Sequence, residues 1–95
     1  MMEFRGFKLL TGSINDLERL TGKLYEAMID DKGEVNACVA CNVVSKEVPP
    51  SKYLETLADT AREMGADALV HVAFYSNSEG SFAFGYPVKE NKDSI

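Results

Sequence analysis

The chain has 95 residues, 45% of them hydrophobic and 26% charged, with seven glycines and three prolines, the profile of one globular domain with no room for a second. Ten basic against fifteen acidic residues give a net charge of -5, a field that repels phosphate backbones and speaks against nucleic-acid and anionic-membrane partners. At this size folding removes roughly 60 to 70% of the unfolded chain's surface, so the core is marginal and burial against a partner is expected to contribute.

Residues 1–10 carry Phe4, Phe7, Leu9 and Leu10 in an irregular pattern that allows a strand without requiring one. Glu3, Arg5 and Lys8 have no apolar run behind them, and no stretch approaches the ~20 apolar residues of a membrane span. The expectation is an unprocessed cytoplasmic chain. Ser13 with Asp16 three residues later, ahead of Ile14, Leu17, Leu20, Leu24 and Met28 at helical spacing, predicts a capped amphipathic helix ending near Gly33. Gly22 weakens it by about 1 kcal/mol relative to alanine.

Residues 35–44 alternate, with Val35, Ala37, Val39, Cys41 and Val43 on one face and Asn36, Cys38, Ala40, Asn42 and Val44 on the other, which predicts a strand. Pro49 and Pro50 interrupt any sheet ladder, and Ser51 is placed to cap a second helix. That helix has the stripe Tyr53, Leu54, Leu57, Ala58, Ala61 and Met64, and Gly65 is suited to end it in a left-handed conformation. Residues 68–75 alternate again as a strand, residues 76–80 read as a hairpin loop, and Phe82, Phe84, Tyr86 and Val88 mark a last strand whose Pro87 belongs near an end. Residues 89–95 read as a polar tail.

One helix covers one sheet face, and the richest candidate face is Val35, Val39, Val43, Val70, Val72, Phe74, Phe82 and Phe84. The face left open then carries Asn36, Cys38, Ala40, Asn42, Leu69, His71, Ala73, Tyr75, Ala83 and Gly85, small, partly apolar and without charge, which is unusual against bulk water.

The run Ala61-Arg62-Glu63-Met64-Gly65-Ala66-Asp67-Ala68-Leu69-Val70-His71-Val72, followed after a loop by Ala83-Phe84-Gly85-Tyr86-Pro87-Val88, resembles the YbjQ-like family of small proteins described as heavy-metal-binding. In that family a helix runs into Gly-Ala-Asp-Ala-Val-Val-Gly-Val and a later strand reads Ala-Tyr-Gly-Thr-Ala-Val. The resemblance spans residues 55–88, about a third of the chain. It implies a strand-helix-strand-strand core shared with dodecins and assembly into a ring, five-membered in the family. His71 departs from it by standing where the family favours glycine, and Tyr86-Pro87 replaces Thr-Ala. No ligand residue of the family maps onto this chain.

Cys38-Val39-Ala40-Cys41 has the two-residue gap of zinc sites and thiol-disulfide enzymes. Zinc needs four ligands, and beyond these two cysteines the chain has only His71 as a further soft ligand. Inside an alternating run the two thiols project to opposite faces, so Cys41 reads as a core residue, with both thiols reduced and no shared metal. His71, the only histidine, shares the expected open face with Cys38 and Tyr75, and these three are the candidate ligand-binding residues. Phe74, Phe82, Phe84 and Tyr86 read as core packing beneath the helix rather than a cofactor shelf. Asp30, Asp31 and Glu34 form an acidic turn without the ligand spacing of a calcium loop. Phosphate-loop, dinucleotide and hydrolase motifs are missing, so neither a cofactor nor a catalytic residue is assigned.

The expected fold is a two-layer α+β domain, dodecin-like over residues 34–88, with residues 1–33 adding a helix and an optional edge strand and residues 89–95 trailing. The expected function is that of a small non-catalytic homo-oligomeric protein, assembling through its open sheet face or edges and holding a small ligand or metal between subunits. The alternatives are an enzyme with an interface site built on Cys38, His71 and Tyr75, distinguished by thiol reactivity, or a monomeric protein-interaction module.

Overall fold

Two short strands begin the chain, β1 (Met2–Phe4) and β2 (Phe7–Leu9), paired antiparallel with Phe4 opposite Phe7. Between them Arg5 and Gly6 both hold positive φ, 54° and 83°, the signature of a two-residue type I′ turn. Strands this short leave no room for an alternating pattern, which is why residues 1–10 look irregular. The computed structural model describes residues 2–35, 38–42, 50–77 and 80–92.

Helix α1 (Ile14–Thr21) starts as expected, with a reciprocal cap. The Asp16 amide donates to Ser13 Oγ at 3.3 Å and the Ser13 amide donates to the Asp16 carboxylate at 2.9 Å. The Ser13 amide, its hydroxyl and then Arg19 hold the Asp16 carboxyl below its ordinary value. The helix ends at Gly22 rather than near Gly33. Gly22 takes φ 73° and donates its N–H to the Glu18 carbonyl at 2.8 Å, a left-handed cap that a residue with a Cβ adopts reluctantly. Leu24 and Met28 therefore leave the helix, and Tyr25–Ala27 becomes strand β3, its entry fixed by the Tyr25 amide donating to the Glu18 carboxylate.

Strand β4 (Cys38–Asn42) lies within the expected 35–44; Val35 makes only an isolated bridge to Ile29, and Val43 lies outside the described residues. Helix α2 (Pro50–Glu63) begins at Pro50, whose missing N–H is harmless in a first turn, so Ser51 sits inside the helix instead of before it. It ends at Gly65, φ 87°, where the Ala66 amide donates to the Ala61 carbonyl and the Gly65 amide to the Arg62 carbonyl, the paired bonds of a Schellman motif. Strands β5 (Ala68–Asn77) and β6 (Gly80–Glu90) form a long hairpin. Ser76, Asn77 and Gly80 belong to its strands rather than to a loop, and Ser78 and Glu79 lie outside the described residues. Lys89 and Glu90, expected in the tail, finish β6.

The six strands make one mixed sheet in the order β1-β2-β5-β6-β3, with β4 also paired to β6. Strand β6 runs between β4 and β5, antiparallel to both. Strand β2 adds a parallel pairing to β5, and β3 pairs with the end of β6, so residues before 34 contribute three of the strands. Strands β3 and β4 lie on the same side of β6 and run in the same direction. They are two segments of one edge line, and in the excursion between them Asp30 caps a tight turn through the Lys32 and Glu34 amides.

Pro87 sits inside β6, fully buried, not near an end. Its carbonyl accepts from the Met28 amide at 3.2 Å. In an antiparallel ladder the N and C=O of one residue point the same way, so the missing N–H is aimed at the gap between β3 and β4 and takes nothing from β5.

The register of β5 on β6 shifts between Val70 and Ala73, where His71 and Val72 stand against Gly85 alone. This bulge reverses which residues face which way. Before it, Ala68 and Val70 pack with Leu10, Leu17 and Val88 in a cluster beneath α1. After it, Val72 and Phe74 join Leu69, Ala83 and the α2 stripe of Tyr53, Leu54, Leu57, Ala58 and Ala61. The two helices thus lie on opposite faces of the sheet, three layers where two were expected. The face assignment also changes. Val70 is not under α2, and the residues of β6 that are under it are the small Ala83 and Gly85, while Phe82 and Phe84 lie on the other side.

Candidate functional site

Helix α1 is only eight residues long and covers one end of its sheet face, the end holding Ala68, Val70 and Val88. Beyond it the face carries rings. Tyr75 stacks on Phe82 with centroids 5.1 Å apart and on Phe84 at 5.9 Å, the latter pair only 7° from parallel. Phe84 meets Tyr86 edge-on at 6.4 Å, and Tyr86 meets His71 edge-on at 6.2 Å. The result is a continuous array across β5 and β6 that contains no carboxylate and no ammonium. Tyr75 is 51% exposed and Phe82 36%, so the wide end of the array faces out.

The array exists because of the bulge. Without it Tyr75 would keep the parity of Leu69 and lie on the α2 face, and Val72 and Phe74 would stand beside Phe84 and Phe82 in its place. The expectation that Phe82, Phe84 and Tyr86 pack beneath the helix is corrected; of that set only Phe74 does so, with its ring 5.6 Å from Tyr53.

Of the candidate ligand-binding residues, His71 and Tyr75 are both exposed members of this array, joined through Tyr86 and Phe84 rather than by direct contact. Cys38 is not registered with them. The backbone pairs Cys38 with Gly85 and Cys41 with Phe82. The pairing runs unbroken from Cys38 to Asn42, so the two cysteines remain three extended residues apart, about 10 Å. Their side chains lie outside the described residues. Among the described residues no group of three or more His, Cys, Asp or Glu is placed to hold a metal ion.

Sequence reasoning missed the aromatic face because period-two alternation carries one parity along a strand and a bulge reverses it. The alternation of residues 68–75 carries no signal of the bulge at His71. His71 there holds φ 52°.

Stacked rings of this kind associate with other apolar surfaces; aromatic pairs contribute about 0.5–1.5 kcal/mol each beyond area burial. No described helix is long and apolar enough to cross a membrane. Comparison with protein-family models, with curated proteins and with solved structures finds no match to this chain.

Proposed function

We propose that the chain is a non-catalytic subunit of a homo-oligomer and that copies meet through the aromatic end of the sheet face. The observation that carries this is the Tyr75, Phe82 and Phe84 stack, left uncovered where α1 ends. A domain this small has little core to spare, and a contiguous uncharged patch is more stable buried than wet. The resemblance to the YbjQ-like family over residues 55–88 points the same way. So does the strand order β4-β6-β5 with α2 on one face, the order that a dodecin-like core requires. The rings offer a small planar or apolar ligand a place between copies.

Ala73 stands opposite Phe84 on this face. Light scattering on the purified protein is expected to give a mass of several chains, and Ala73→Glu, which sets a carboxylate against the stack, is expected to dissociate or precipitate it. A wild-type mass of one chain across the micromolar range overturns the proposal.

A further inference from the structure

We infer that the outer edge of β4 pairs with the same edge of a second copy, about a two-fold axis passing through Ala40. The inference rests on the reading that the chain self-associates, and adds a second surface to it.

The hydrogen-bonding parity of β6 can be worked out from its ends. The Pro87 carbonyl is turned toward Met28, on the β3 and β4 side, and the Val88 carbonyl accepts the Asp67 amide at 2.9 Å, on the β5 side. Odd positions of β6 therefore address β4. Their partners are Cys38 opposite Gly85, Ala40 opposite Ala83 and Asn42 opposite Ser81, so these three residues turn their N–H and C=O inward. Val39 and Cys41 turn theirs outward, and no described strand lies beyond them.

Set antiparallel to itself about Ala40, this edge brings Val39 opposite Cys41 of the second copy and Cys41 opposite its Val39. Every outward N–H and C=O at these positions then finds a partner, and the operation closes on itself, as a two-fold contact must. The strand is also undefended. Edge strands are normally blunted by charge, proline, a bulge or extreme shortness. Strand β1, at the opposite edge, is three residues long and carries Glu3 in an ion pair with Lys8. Strand β3 is equally short and brings Glu26 opposite Lys89. Strand β4 has five residues, no charge, no proline and an unshifted register.

Val39→Pro tests this in the full chain, because it removes an outward N–H and leaves the inner ladder to β6 intact. Light scattering is expected to show the variant at half the wild-type mass or less, with an unchanged circular dichroism spectrum. A folded variant with the wild-type mass overturns the edge pairing while leaving face-to-face assembly standing; a wild-type protein that is itself monomeric overturns both. Should Val39→Pro fail to fold, the double variant Cys38→Ser, Val39→Cys decides. Oxidised with diamide, which takes up the two electrons and two protons released, it is expected to give a covalent dimer joined between positions 39 and 41. An oligomer of wild-type mass that yields no such link overturns the pairing.

Discussion

His71 holds φ 52° in the interior of a ten-residue strand. For a residue with a Cβ the left-handed region costs about 1–2 kcal/mol relative to ordinary backbone. Two adjacent amides hold it there: the His71 N–H donates to the Gly12 carbonyl at 2.9 Å and the Val72 N–H to the Leu10 carbonyl at 3.0 Å, so the turn after β2 clamps the bulge. His71→Gly is expected to raise the free energy of unfolding by about 1 kcal/mol, because relief of strain exceeds the added ordering entropy of glycine. His71→Val, β-branched and ill suited to positive φ, is expected to lower it by more than about 1 kcal/mol. Urea titration of both variants checks the sign. A glycine variant less stable than wild type would mean that the edge contact of His71 on Tyr86 outweighs the strain. The backbone state of this one residue decides which rings are open, and alternation could not report it.

Between α2 and the sheet the fit depends on small residues. Ala58 and Ala61 on the helix and Ala83 on β6 are fully buried, and a Cβ built on Gly85 would lie 3.0 Å from Val72 Cγ2 and 3.4 Å from Leu69 Cδ2. Gly85→Val is therefore expected to cost about 1–3 kcal/mol by overpacking, read as a lowered thermal midpoint with the fold retained. An unchanged midpoint would show slack in the layer. The α2 stripe and its glycine stop were readable in the sequence because one period ran from Tyr53 to Ala61 without interruption. The end of α1 was not, because Leu20, Leu24 and Met28 keep helical spacing past Gly22 by coincidence. Leu20 is 61% exposed and Leu24 49%, so neither anchors a helix face.

At the scale of the molecule, the parallel run of β4 and β5 followed from the single helix that joins them, whereas the central place of β6 was only what the dodecin-like resemblance implied. Which face each helix covers did not follow, since it depends on the bulge and on β2 and β3, whose three residues each carry too little pattern. If association buries the aromatic end of the sheet, stability is linked to protein concentration. The thermal midpoint is expected to rise by several degrees over a hundredfold increase in concentration. A midpoint that stays fixed over that range would argue that the single chain is the whole folding unit.

The break in the edge line between β3 and β4 has a consequence for how the chain tolerates change in length. After Met28 the chain leaves the edge of β6 beside Pro87, where β6 offers no donor, and the same line is taken up again at Cys38. Pairing on either side is set by β6 and not by what lies between. Closing a loop twice as long costs only about 0.6 kcal/mol more, so extra residues near Asp31 and Lys32 are absorbed without moving either strand. A piece of chain that drops out of register and rejoins it is a natural docking point for inserted sequence, and distant relatives of this protein are expected to differ most in length at that point.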